Sequence, residues 1–276
     1  MATFTIIGSS GFIGGHLARY LERADHEVSC PARGTLPLPE AGHVVYCAGL
    51  TGDFRTRPFD TITTHVGHLA DVLAHVQPES FLYLSSTRVY GASGYEDVLL
   101  TVDPANPDHL YNATKIAGEA LCLAQPSASV RVARLSNVYG TGMSSSDFLG
   151  AIVAESLSGR LHLATAYDSQ KDYIAIEDVV RAIERIALAG RHRLYNVAAG
   201  RNVAHRELVE RLTRLTECRV TVDHGAPRIA YPPIDTRRIA AEFDVKNPWS
   251  PADVLDRLPE LVTGCRARCM PAELAS

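Results

Sequence analysis

The sequence predicts an α/β fold: a doubly wound parallel sheet carrying a small C-terminal α/β cap. Three observations predict it. Short β-branched runs alternate with amphipathic stretches through the first half of the chain. Parallel strands need crossover connections, usually helices, so this alternation implies a parallel sheet with helices on both faces. A glycine triplet, Gly8-x-x-Gly11-x-x-Gly14, joins the first apolar run to the first helical one. The 276 residues are 46% apolar and 21% charged, enough for one large α/β unit and its appendage.

The elements follow in order. Thr3–Ile7 reads as a strand and Phe12–Arg23 as a helix. His26–Cys30 and His43–Cys47 are the second and third strands. Phe59–Val76 is a helix, with Ile62, Val66, Leu69, Val72 and Leu73 at helical spacing. Phe81–Ser85 is a strand, His109–Ala124 a helix and Val130–Leu135 a strand. From about Ser144 the pattern loosens. A helix near Asp147–Leu157 and a strand near Arg160–Ala164 precede a strand-like run, Asp172–Ile176. A helix over Glu177–Leu188 and a strand over Leu194–Val197 return to the sheet. Helices near Ala204–Thr216 and Pro251–Leu261 belong to the cap, punctuated by Pro227, Pro232, Pro233 and Pro248. The expected division is residues 1–143 plus about 172–200 for the sheet unit, and about 144–171 plus 201–276 for the cap.

Composition excludes several classes. With 27 basic and 31 acidic residues the net charge is −4, so no basic field holds nucleic acid. No apolar stretch approaches the roughly 20 residues that span a bilayer. Met1 leads almost at once into a strand without a secretory signal, which predicts a cytoplasmic protein. The six cysteines are scattered. The one close pair, Cys265 and Cys269, lacks a nearby histidine or second pair, so no metal is expected.

Ligands of doubly wound sheets bind beyond the carboxyl ends of the strands. Gly8, Gly49 and Ser86 each follow a predicted strand, so they converge on one crevice. The glycines at 8, 11 and 14 permit a tight turn and close approach of backbone to a pyrophosphate. With Ser10, Phe12 and Ile13 they place a helix N-terminus, with its N–H donors and dipole, at that anion. This predicts a Rossmann-type dinucleotide site, continued by Ala48 and Gly49. The second strand ends without the acid that holds an adenosine ribose, and Arg33 follows closely. An arginine there accommodates a 2′-phosphate, which favours NADP slightly over NAD.

Tyr111 and Lys115 lie one helical turn apart, and Ser86 stands 25 residues upstream of Tyr111. A nearby ammonium and a cationic nicotinamide are expected to lower the tyrosine pKa. Tyr111 would then exchange the substrate hydroxyl proton as hydride moves at the same carbon. Lys115 would bond the nicotinamide ribose, and Ser86 the substrate oxygen.

These motifs resemble the extended short-chain dehydrogenase/reductases, the family of nucleotide-sugar epimerases, dehydratases and ketoreductases. The likeness runs from Thr5 to about Asn196. It rests on Gly8-x-x-Gly11-Phe12-Ile13-Gly14, Cys47-Ala48-Gly49, Leu84-Ser85-Ser86-Thr87-Arg88-Val89-Tyr90-Gly91 and Tyr111-Asn112-Ala113-Thr114-Lys115. Arg134-Leu135-Ser136-Asn137-Val138-Tyr139-Gly140, Asp172-Tyr173-Ile174 and Tyr195-Asn196-Val197 complete it. The resemblance implies Ser86, Tyr111 and Lys115 as the catalytic set. It implies a substrate contact at Asn137, with Thr87 beside it.

The departures matter as much. Family dehydratases resemble Thr-Asp-Glu before Val-Tyr-Gly, whereas Thr87 and Arg88 stand there, so the resemblance implies an enzyme that is not a dehydratase. About a dozen residues separate the second strand from His43, too few for the usual helix and strand. Lys171 occupies the place of an arginine that faces the nucleotide diphosphate in relatives, and Arg228 and Arg237 are further cations of the cap. The expected activity is an NAD(P)-dependent epimerase or ketoreductase acting at C4 of a nucleotide-activated sugar. Two alternatives remain: an NADPH-dependent reductase of a non-sugar carbonyl metabolite, and a non-catalytic cofactor-sensing regulator. The resemblance, with Leu121 and Leu123 on further sides of their helix, implies a homodimer.

Overall fold

The computed structural model of the protein describes residues 1–91, 93–243 and 251–269. The chain opens with β1 (Thr3–Ile7), α1 (Phe12–Arg23), β2 (Glu27–Ser29) and β3 (His43–Tyr46). α2 (Pro58–Ile62), a π turn (Thr63–Gly67) and α3 (His68–His75) run on without a break. Next are β4 (Ser80–Ser86), a 3₁₀ turn (Thr87–Tyr90), α4 (His109–Leu123), β5 (Val130–Leu135) and β6 (Asn137–Tyr139). α5 (Phe148–Leu157), β7 (Arg160–Leu163), β8 (Gln170–Ala175), α6 (Ile176–Ala189) and β9 (Leu194–Val197) follow. β10 (Asn202–Ala204), α7 (His205–Thr216), β11 (Arg219–Val222), α8 (Arg237–Phe243) and α9 (Val254–Cys269) end the described chain.

Six strands form one parallel sheet in the order β2-β1-β3-β4-β5-β9. Both faces are buried, which is why its strands read as continuous apolar runs rather than alternating ones. Phe4, Ile6, Val45, Leu82 and Leu84 pack on one face against Leu17 and Leu21 of α1 and Ile183 and Ile186 of α6. Ile7, Val44, Tyr46, Phe81 and Tyr83 face the other way, against Leu69 and Val72 of α3 and Cys122 of α4. The two-residue period of a strand thus sorts β1 between two cores.

A separate cluster joins Leu149, Ile152 and Val153 of α5 to Leu161, Leu163, Leu208, Leu212, Leu258 and Tyr173. It underlies two small sheets, β10-β8-β6 and β11-β7.

Several elements depart from the sequence reading. The helix expected over Phe59–Val76 is interrupted by the π turn, which brings His65 fully inside. β6, β10, β11 and α8 are too short to show a hydrophobic period. α9 continues through Pro259 to Cys269 rather than ending at Leu261. Residues 30–42, linking β2 to β3 past β1, contain neither helix nor strand. Pro248 lies outside the described residues. Among the described residues no helix is long and apolar enough to cross a membrane.

Candidate active site

The parallel register sets Ile7, Tyr46 and Tyr83 side by side. The turns that follow β1, β3 and β4 therefore meet at one edge of the sheet. Gly8 has φ +90°, and a Cβ there would lie 2.7 Å from the Ala48 nitrogen. A Cβ on Gly14 would lie 2.3 Å from the Gly8 carbonyl oxygen, so α1 packs against the turn only because that atom is missing. Phe12 and Ile13 open α1, and first-turn N–H groups have no intrahelical acceptor.

α4 lies against β4 and buries Tyr111 and Lys115 on one face. The Lys115 ammonium donates to the Leu84 carbonyl at 2.9 Å, which uses one of its three N–H groups. One turn on, Glu119 is fully engaged: Arg134 grips it at 2.9 and 2.6 Å, and the Ser85 hydroxyl donates at 2.5 Å. Lys115 is left without an ion pair among the described residues. Burial pushes its pKa down to about 8, against the opposing charge of Glu119.

Ser86 ends β4 and caps the 3₁₀ turn, its hydroxyl accepting from the Arg88 N–H at 3.2 Å. Ser86 and Thr51 both act on the Tyr111 hydroxyl, favouring its phenolate. Burial raises the Tyr111 pKa, and Ser86, the Arg88 charge and Thr51 pull against it without winning. The expected lowering counts a cationic nicotinamide beside Lys115, and Lys115 alone does not bring it about. The Lys115 ammonium stands 5.9 Å from the Tyr111 ring centroid and is bound to Leu84, while the desolvation of a buried phenol dominates.

His65 is a member of this site that sequence reasoning missed. Its Nε2 accepts the Leu50 N–H at 3.1 Å, so Nδ1 carries the proton and donates to Thr114 Oγ1 at 2.8 Å. Thr114 in turn donates to the Tyr111 carbonyl at 3.0 Å. Burial, and secondarily the Lys115 charge, drop the His65 pKa to about 3, so the ring is neutral. A Cβ on Gly49 would lie 3.0 Å from its Nε2 and 3.4 Å from Lys115 Nζ. His65 therefore ties the Gly49–Leu50 turn to α4. A lone histidine two residues before Gly67 in an apolar helical pattern was the available signal.

Arg33 is exposed on the 30–42 connection. Asn137 opens β6 and donates to the Asp172 carbonyl at 2.7 Å. Lys171 lies over the Phe148 ring at 4.7 Å, its pKa lowered by burial and then by the Arg88 charge. Arg88 itself lies over the Phe54 and Tyr111 rings at 5.1 and 5.4 Å. Among the described residues neither Lys171 nor Arg88 is in a close ion pair; Arg88 donates to the Asp108 carbonyl at 3.3 Å, and its charge acts on the Asp108 carboxylate and on Lys171. Thr87 begins the 3₁₀ turn beside them. Arg228 and Arg237 are not brought there: Arg228 pairs with Asp168 at 2.7 Å and Arg237 with Asp235 at 2.6 Å, both on the surface.

These residues fit a nicotinamide dinucleotide. Lys115 has two N–H groups in excess of its carbonyl bond, Gly49 leaves room beside it, and α1 directs its first turn at the glycine loop. Among the described residues no group of His, Cys, Asp or Glu is placed to hold a metal.

Comparison with known proteins gives the family. The sequence profile of the NAD-dependent epimerase/dehydratase family matches residues 4–198. A dTDP-glucose 4,6-dehydratase of Streptomyces griseus is 30% identical over 141 residues, 47% of this chain but 41% of that protein. GDP-6-deoxy-D-mannose reductase of Pseudomonas aeruginosa is 28% identical over 81% of this chain and 83% of its own length. Among solved structures, MoeE5 in complex with UDP-glucose and NAD superposes with TM-score 0.81 at 22% identity, covering 97% of this chain and 100% of that one. RMD from Pseudomonas aeruginosa with NADPH gives TM-score 0.77 at 22% identity, covering 96% and 99%. The profile spans the glycine loop, Ser86, the Tyr111–Lys115 helix and the strand that closes the sheet, and the chain belongs to the NAD-dependent epimerase/dehydratase family.

Proposed function

We propose that the protein is an NAD(P)-dependent epimerase or ketoreductase acting at C4 of a nucleotide-activated sugar. The observation that carries this reading is that α4 buries Tyr111 and, one turn on, an unpaired Lys115 against β4, where Ser86 acts on the Tyr111 hydroxyl. A bound nicotinamide dinucleotide supplies or accepts the hydride. Tyr111 gives the proton to the substrate oxygen, or takes it when the direction reverses. Ser86 holds that oxygen in line, and the spare N–H groups of Lys115 hold the nicotinamide ribose.

The loop at Gly8, Ser10, Gly11, Phe12, Ile13 and Gly14 holds the pyrophosphate, with Ala48 and Gly49 beside it. Arg33 favours NADP over NAD. Lys171 and Arg88 receive the substrate diphosphate, and Asn137 and Thr87 line the sugar. Arg228 joins them only if it leaves Asp168. Residues 1–143 with about 172–200 act as the cofactor unit, and the rest as the substrate cap, in a cytoplasmic homodimer. A non-sugar carbonyl would leave Lys171 and Arg88 without an anion, and a cofactor sensor has no use for the buried Tyr111–Lys115 pair.

Neither Thr87 nor Arg88 offers the protonated acid needed to expel a hydroxyl, so water is not eliminated. The test is incubation with nucleotide sugars and 4-keto nucleotide sugars, following reduced nicotinamide and product stereochemistry. Tyr111→Phe should lower turnover by about 10² to 10⁴ while cofactor still binds. A variant that keeps a tenth of the activity removes the proton-transfer role.

A further inference from the structure

His65 is a buried side chain that hydride and proton transfer leave without a part. It lies fully inside, on the π turn between α2 and α3. Such turns are rare in helices and are frequent at functional sites. This one is also pinned from the sheet, because the Tyr46 hydroxyl donates to the Thr64 carbonyl at 2.6 Å. The turn brings the imidazole edge to face with the Tyr111 ring, at 5.5 Å between centroids.

Both ring nitrogens are committed, and to different parts of the site. Nε2 accepts from the Leu50 N–H, in the turn after β3, and Nδ1 donates to Thr114 on α4. Thr114 passes the link to the Tyr111 carbonyl. The turn after β3 is itself set against the glycine loop, since a Cβ on Gly8 would meet the Ala48 nitrogen at 2.7 Å. Phe54, four residues past Leu50 and buried, packs on the Tyr111 ring at 5.5 Å. Residues 48–54 therefore touch the glycine loop, His65 and the tyrosine. Two directed bonds hold the imidazole between them at a fixed distance, which apolar packing alone does not set.

We propose that His65 is a positioning residue for proton transfer: by bonding Leu50 and Thr114 at once, it holds Tyr111 at a set distance from the turn beside the glycine loop. This rests on the reading that Tyr111 exchanges a proton with the substrate. His65 moves no proton itself, because the Leu50 N–H fixes its tautomer and Thr114 holds Nδ1–H. It acts through Thr114 and the tyrosine ring. A misplacement of about 1 Å at a reacting group costs about 100-fold in rate. Binding of either ligand does not need that precision, so the loss falls on kcat.

The test compares His65→Gln, Thr114→Val, the two combined and Thr114→Ser in the full-length protein, at pH 7.5 and well below its unfolding temperature. Reduction of a 4-keto nucleotide hexose by NADPH or NADH gives kcat and KM, and a fluorescence titration gives dinucleotide affinity. His65→Gln and Thr114→Val should each lower kcat about 10- to 100-fold, with KM and dinucleotide affinity within about threefold of the natural protein. The combined variant should be no slower than the slower single one, because both break the same link. Thr114→Ser keeps the hydroxyl and should restore most of kcat. The solvent deuterium isotope effect on kcat should rise in the slowed variants, as proton transfer becomes limiting; a loss of stability alone does not move it. Natural kcat in both single variants, or losses that multiply when combined, overturns the proposal. A fall confined to KM or to dinucleotide affinity overturns it as well. Should His65→Gln fail to fold, the two Thr114 variants decide. Tyr111→Phe separates this inference from the assigned activity. If that variant stays active, the proton-transfer reading fails and the proposal with it. If it is inactive while His65→Gln and Thr114→Val keep the natural rate, the role of His65 alone is refuted.

Discussion

Replacing His65 by glutamine should make the protein less stable at pH 7.5 and more stable at pH 5. The imidazole is buried and neutral, with its pKa held down to about 3, against about 6.5 in the unfolded chain. Below pH 6.5 the unfolded chain takes up a proton that the folded protein refuses until about pH 3. The stability linked to this group is therefore complete above pH 6.5 and is lost as pH falls. Between pH 7.5 and 5.0 the loss amounts to about 2 kcal/mol. Glutamine reaches the position of Nε2 and keeps an acceptor for the Leu50 N–H, but gives up the bond to Thr114, at about 1 kcal/mol. The stability curves of the two proteins should then cross near pH 6, about 1 kcal/mol apart at either end. Urea unfolding followed by far-ultraviolet circular dichroism, at one protein concentration and several pH values, measures this. His43 and His205, also depressed by burial, titrate alike in both proteins and cancel in the difference. Parallel curves would show that His65 does not refuse its proton, and would break the chain from Leu50 to Tyr111.

Three other outcomes follow from named residues. With burial holding Lys115 at about 8, kcat/KM should fall above about pH 8 as the ammonium is lost, and Lys115→Arg should remove that limb; a profile flat to pH 10 contradicts it. Arg33→Ala should weaken NADP by about 1.5–3 kcal/mol and NAD far less; equal losses in a binding titration remove the argument for a 2′-phosphate. Phe59 and Ile62 are 83% and 46% exposed on α2, and Leu123 is 38% exposed at the end of α4, so these helices should pair across a twofold axis. A monomer mass by light scattering at micromolar concentration contradicts that.

The limits of the sequence as a guide have physical causes. β1, α1, β5 and β9 begin and end at the residues their patterns indicate, because each is bounded by turn-forming residues and buried on a defined face. β6 and β10 hold three residues each and present no period to read. Tyr111 and Lys115 were legible because helical spacing alone places them on one face. His65 was not, because a π turn shifts it inward by one residue relative to a regular helix. Thr51 lies on a loop, where spacing carries no direction. The burial that raises the Tyr111 pKa was not legible, because charge can be counted in a sequence but desolvation cannot.

The two ends of the crevice differ in how firmly they are built. Ser86, Tyr111, Lys115 and His65 sit on β4, α4 and the π turn, and all but Ser86 are buried. Altering any of them leaves a buried polar group unmatched, typically at a cost of about 1–3 kcal/mol. The adenosine end has no such backing. β2 is a three-residue edge strand, and the segment after it reaches β3 without a helix. Whatever distinguishes the two dinucleotides there acts from an exposed loop, where water and salt weaken an arginine–phosphate contact. Such a contact is gained or lost by a single substitution without disturbing the sheet. The contact proposed between Arg33 and a 2′-phosphate is therefore one that a change at the edge of the sheet can add or remove.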